Sequence, residues 1–154
     1  MNQQLLSLLA AASLGLAITG CDQDASSTAG DVAEARSDAF EEVREAKEDA
    51  RENHEDSERD MASARDSYSS SSKDSREDLA AAESGAMSEK VRAEFEIAKA
   101  EAEGRYDIET EKCDALEDLE KKACKSEADA QFAAEKARLT ADRDAALMRA
   151  DQQR

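Results

Sequence analysis

Apolar residues fall along this chain in thin stripes at helical spacing, set within long charged stretches. Ala39, Val43, Ala46 and Ala50 recur at steps of four, three and four, which places them on one face of a helix. Met61, Ala64 and Tyr68 resume the stripe after an interruption at Asn53, His54 and Ser57, and Phe40 stands beside its start. Glu41, Arg44, Glu48, Arg51, Glu55 and Arg59 step by three or four and alternate in sign. On a helix they form a ladder whose contacts each add roughly 0.2–0.5 kcal/mol. The pattern predicts one long charged helix over residues 31–68.

The stretch SYSSSSKDS follows, and serine competes for backbone hydrogen bonds, which disfavours a helix interior. Residues 69–87 therefore read as a serine-rich linker with a short helix from Leu79 to Glu83, stopped at Ser84-Gly85. Ser88 is the expected N-cap of the next helix, with Val91, Phe95, Ala98 and Ala102 on one face. That helix runs through Gly104, at a cost of about 1 kcal/mol against alanine, to the neighbourhood of Cys113. A final helix extends from near Leu119 to about Ala150, with Phe132, Leu139 and Leu147 as its larger apolar residues. No alternating run of β-branched or aromatic residues marks a strand, and the chain has no proline. The fold class expected is all-α and elongated, with no sheet.

Composition narrows the packing. Beyond residue 20 the chain holds five Leu, two Ile, three Val and three Phe, thirteen large apolar residues in 134. That is well below the roughly 20% under which highly charged chains are typically disordered, which leaves disorder or extended helices packed on little, and the helical patterning favours the helices. The stripes suit a helical hairpin or coiled-coil-like packing, not a globular core. The formal net charge is −17, which disfavours nucleic acid and anionic lipid surfaces as partners.

Residues 1–20 carry no charged side chain, and residues 5–18 are apolar apart from Ser7, Ser13 and Gly15. The run is short for a bilayer span, which takes about 20 apolar residues, and has the length of an export signal's apolar core. It ends in Ile18-Thr19-Gly20-Cys21. This sequence resembles the lipobox of bacterial lipoproteins, although the usual n-region Lys or Arg is missing. The resemblance implies cleavage before Cys21, lipid on Cys21, and a flexible tether over residues 21–30. Asp22 followed by polar Gln23 resembles the signal that retains lipoproteins at the inner membrane of enteric bacteria. The resemblance favours attachment to the periplasmic face of that membrane, with the outer membrane as the alternative. Two or three acyl chains, at about 0.8 kcal/mol per buried methylene, anchor a protein stably.

Two further cysteines close the stretch CDALEDLEKKAC, residues 113–124. On one straight helix they lie about 16 Å apart, whereas a disulfide needs Cα atoms within about 7 Å. The pair stays reduced, bonds between chains, or lies across a turn. In an exported chain the oxidising compartment makes a bond the default. The simplest form is a hairpin over residues 88–152, turning near Glu117-Asp118 and stapled by Cys113–Cys124. A zinc site at the pair lacks further Cys or His ligands nearby.

Residues 106–132 resemble small exported proteobacterial proteins of unknown function that share a K-C-D-x-L-x7-C pattern. Tyr106, Lys112, Cys113, Asp114, Leu116, Lys121, Cys124 and Ala128 match it, while Asp118 replaces a glycine. The resemblance implies a disulfide hairpin in the envelope and no catalytic residue.

The sequence offers no phosphate loop, zinc-protease helix, nucleophile elbow or calcium loop. Its one histidine, His54, sits in a charged helical stretch with Glu55 and Glu58 as neighbours. No enzymatic activity, cofactor or metal is expected. The function expected is that of a membrane-anchored periplasmic spacer or interaction module, self-associating or bound to an envelope protein. A periplasmic chaperone or stress-protective protein with a charged helical surface is the alternative.

Overall fold

The computed structural model describes residues 24–68 and 73–152. They form three helices: α1 over Asp24–Tyr68, α2 over Lys73–Asp114 and α3 over Asp118–Asp151. No strand occurs among the described residues. At 1.5 Å per residue the helices are about 67, 63 and 51 Å long. Ala39 of α1 lies against Gly104 of α2, and Ser57 lies against Glu89, so α1 and α2 run antiparallel. On α3, Phe132 meets Tyr106 and Arg143 meets Phe95, so α3 is antiparallel to α2 in turn. α2 packs on both other helices, and α1 and α3 make no close backbone approach to each other. No described helix is long and apolar enough to cross a membrane.

The α1 stripe faces α2 as its spacing predicts: Ala39, Val43, Ala46 and Ala50 are half-buried, and Phe40 beside them is exposed. Its interruption is bridged by Ser57, which is buried and donates its hydroxyl to the Glu89 carboxylate. Ser57 lies seven residues after Ala50 and four before Met61, so the helical register is unbroken.

α2 is apolar on two sides. Ala93 and Ala100 border the groove toward α1, together with Ala46 and Ala50. Phe95, Ala102 and Tyr106 serve the side toward α3. Gly104 has a structural reason: a Cβ there would overlap that of Ala39 and lie 3.2 Å from the Ala39 Cα. Glycine lets the two helices meet at alanine distance.

Three local expectations are corrected. The tether expected to extend through residue 30 is helical from Asp24. α2 does not stop at Ser84-Gly85, because the buried Ser84 hydroxyl donates to the Ala150 carbonyl at 3.0 Å. Ala150 lies in the last turn of α3, where carbonyls lack the amide four residues on within the helix, so the serine adds a donor at a helix end without breaking its own helix. Ser88 is not an N-cap; it lies inside α2 and donates to the Ser84 carbonyl at 2.9 Å. The core is correspondingly slight. Among the described residues Ala102, Cys113, Ala128 and Ala150 are its buried apolar members, with Ser57 and Ser84 buried beside them.

Candidate functional site

Covalent, polar and ionic contacts between elements converge where α2 turns into α3. Cys113 and Cys124 are joined by a disulfide with Cα atoms 5.6 Å apart. Cys113 is fully buried and Cys124 half-buried. The turn is tight. Ala115 N–H donates to the Lys112 carbonyl at 3.3 Å and Leu116 N–H to that of Cys113 at 3.1 Å. Glu117 takes the N-cap position of α3 in extended conformation, with φ −76° and ψ 160°. The turn expected near Glu117-Asp118 thus occupies residues 115–117, and Asp118 is already helical. A left-handed glycine is not needed at position 118, which accounts for the aspartate there.

A carboxylate clamps the turn from outside. Asp114 accepts from Lys125 at 2.9 Å and lies 3.2 Å from the Lys121 ammonium. The hydrogen bond from Lys125, and then that from Lys121, holds the Asp114 carboxyl below the ordinary aspartate range. The same bond raises the Lys125 ammonium above its ordinary value. Asp114 and Asp118 occupy opposite helix ends: Asp118 and Glu120 sit in the positive first turn of α3, where carboxylates are favoured, while Asp114, at the disfavoured negative end of α2, relies on the two lysines.

Two turns further in, the Tyr106 hydroxyl donates to Asp129 at 2.7 Å. That bond raises the phenol's pKa, because the charged carboxylate favours the protonated form. The Tyr106 ring stacks on Phe132, with centroids 4.8 Å apart and planes 20° from parallel. The Lys136 ammonium stands 5.2 Å from the Phe132 centroid, and Arg105 pairs with Glu135 at 2.7 Å. Arg143 lies 4.6 Å over the Phe95 ring nearer the far end. α3 is therefore fixed on α2 at intervals along its length, by a covalent bond, an aromatic stack, a cation–π contact and the Ser84 hydrogen bond.

Open grooves run between α1 and α2, two of them along the middle of the pair. One, of about 540 Å³, has Ala46, Ala50, Ala93 and Ala100 on its lining and Glu45 and Glu96 beside them. The next, of about 430 Å³, is bordered by Ala50, Ser57, Ala93 and Ile97. His54 stands beside it, exposed, with its Nε2 3.5 Å from Glu58. Among the described residues no cluster of three or more His, Cys, Asp or Glu is placed to hold a metal ion.

Of the candidate residues read from the sequence, Cys113 and Cys124 are brought together. Cys21 and its lipobox-like neighbours lie outside the described residues. Sequence reasoning missed Ser84, whose partner Ala150 is 66 positions away. It also missed the role of Asp114, although an acid beside one cysteine and Lys121 and Lys125 around the other were a legible signal. No family model, no curated protein and no solved structure matches the chain.

Proposed function

We propose that this chain is a lipid-anchored, non-enzymatic spacer or interaction module of the bacterial envelope, held through Cys21 on the periplasmic face of the inner membrane. One observation carries the reading: a disulfide closes α2 on α3 in a molecule whose buried apolar residues, among those described, are three alanines and a cysteine. So slight a core leans on its covalent link, and such a link persists in an oxidising compartment. The lipobox-like Ile18-Thr19-Gly20-Cys21 supplies a route to that compartment and a means of staying at the membrane. Helices of about 50–67 Å supply reach.

The test is the intact mass of the protein from its native membrane fraction, before and after reduction with alkylation. The expected chain begins at Cys21, carries acyl mass, and gains two alkyl groups only after reduction. A full-length chain with three freely alkylated cysteines overturns the reading.

The apolar-bordered groove at Ala50, Ala93 and Ile97 favours a second reading, a periplasmic chaperone that holds extended clients along α1 and α2. Suppression of client aggregation by the purified protein supports it. Inactivity across several unrelated clients removes it.

A further inference from the structure

The two ends of this molecule differ. α2 extends ten residues past Gly104, and α1 extends fifteen residues back from Ala39, its contact there. At 1.5 Å per residue the start of α1 overhangs the end of α2 by about 7 Å. Asp24 therefore lies at the level of the α2–α3 turn. Asp31 and Glu34 of α1 share a groove with Asp107 and Glu111 of α2, which agrees with that alignment. Toward the opposite end lie the close of α1, the start of α2 and, level with Ser84, the close of α3.

At the turn end two leucines stand uncovered. Leu119 is 82% exposed, more than any other large apolar side chain described, and Leu116 is 40% exposed. The chain has only five leucines beyond residue 20, and the other three, Leu79, Leu139 and Leu147, are half-buried. A turn between helices ordinarily takes polar residues. The charge is local too. Residues 112–125 hold four lysines (112, 121, 122, 125) and four acids (114, 117, 118, 120), a balance of zero within a chain of −17. Asp114 is neutralised by Lys121 and Lys125. The disulfide and this clamp hold the leucines at a fixed place on the tip.

We propose that this tip is a second, non-covalent membrane contact, with Leu116 and Leu119 entering the headgroup–acyl boundary of the leaflet that holds the Cys21 lipid. The inference rests on the anchored reading above. Two residues, Asp22 and Gln23, separate Cys21 from Asp24, and the three Cα-to-Cα steps span at most about 11 Å, so an anchor at Cys21 keeps this end of the molecule beside the bilayer. A zwitterionic surface fits the tip, since it neither repels the acidic flanks nor demands a basic patch. A second copy fits less well: two chains anchored in one leaflet point the same way and do not meet tip to tip. The consequence is orientation. A single tethered point leaves a rod free to tilt, whereas a lipid and a leucine tip at one end hold the helices away from the surface.

The chain has no tryptophan, so single tryptophans report on position. Leu119→Trp places one at the tip, and Met148→Trp places one at an exposed site near the other end of α3. The full chain of each variant, isolated from bacterial membranes and weighed intact, is reconstituted into phosphatidylcholine vesicles with brominated acyl chains. The expected result for Leu119→Trp is a blue-shifted emission that bromine quenches. The emission of Met148→Trp should be neither shifted nor quenched. The mass and the quenching report separately. An acylated chain whose tip tryptophan escapes quenching overturns the tip contact and leaves the anchor standing. Quenching at the tip without acylation upholds the tip and overturns the anchor. Neither acylation nor quenching removes both. A blue shift that grows with protein concentration and escapes bromine assigns the leucines to a second copy and overturns the bilayer contact.

Discussion

Two glycines in one helix separate propensity from packing. Gly85 and Gly104 both lie inside α2. A Cβ at Gly85 meets nothing within 4 Å, whereas at Gly104 it overlaps that of Ala39. Gly85→Ala therefore gains the helix-propensity difference, about 1 kcal/mol. Gly104→Ala gains the same and loses about 1–3 kcal/mol to overpacking against α1. Thermal unfolding followed by circular dichroism should show Gly85→Ala raising the midpoint and Gly104→Ala lowering it; a rise in both would mean that α1 does not sit tightly on Gly104. Asp114 gives a pH signature at the same scale. Its carboxyl is held below the ordinary value of 3.8, so the stability it contributes is present above that value and is lost as pH falls through the lowered one. Lys125 and Tyr106 act with the opposite sense: their pKa values are raised, so their contributions are present below the ordinary values and vanish as pH climbs through the raised ones. Asp114→Asn should flatten the acid limb of the midpoint-versus-pH curve, and an unchanged acid limb would show that the clamp does not bear on stability. Gly104 was legible as a cost in the sequence, but its reason was not, because nothing local says that Ala39 stands opposite.

At the scale of elements, helix existence follows from local chemistry and helix length does not. The α1 stripe, the absence of proline and the alternating charges all favour helix before any packing. The ladder is partly realised: Arg44 reaches Glu41 at 3.2 Å, Arg51 reaches Glu55 at 2.7 Å, and Arg59 reaches Glu55 at 3.9 Å. These pairs are exposed and each is worth little. α2 is a different case, since the serine and glycine at 84 and 85 argued for a stop. Ser84 finds its partner on α3, and tertiary contact overrides propensity there. α3 depends on the staple. Replacing both Cys113 and Cys124 by serine, or reducing the bond, should cost about 3 kcal/mol for a closed loop of this size. Hydrogen exchange should show the loss first in α3 amides near the turn, with α1 least affected. Equal acceleration throughout all three helices would mean that the molecule unfolds as one unit without a separable hairpin.

At the scale of the whole molecule, three antiparallel helices with α2 in the middle make a long, thin particle. A compact domain of this length has a radius of gyration of about 15 Å, whereas a rod with helices of about 65 Å has one of roughly 20 Å or above. Small-angle scattering from residues 21–154 should give the larger value; the smaller one would sink the spacer reading. The thirteen large apolar residues beyond position 20 had already excluded a globular core. What they left open was how the helices share so little apolar surface, and α2 answers by offering one side to each neighbour.

The sequence by itself determined that this protein is helical, acidic and thinly cored, because propensity, charge spacing and apolar count are local quantities that need no partner. It also placed two cysteines where a turn could join them. Only the tertiary structure decided that α2 continues through Ser84-Gly85, that Gly104 marks a close helix crossing, and that Asp114 is neutralised across the turn. It alone brought the start of α1 level with Leu116 and Leu119. Each of these depends on residues distant in the chain meeting in space, and pairings of that kind are set by how helices register against one another, which no local pattern encodes.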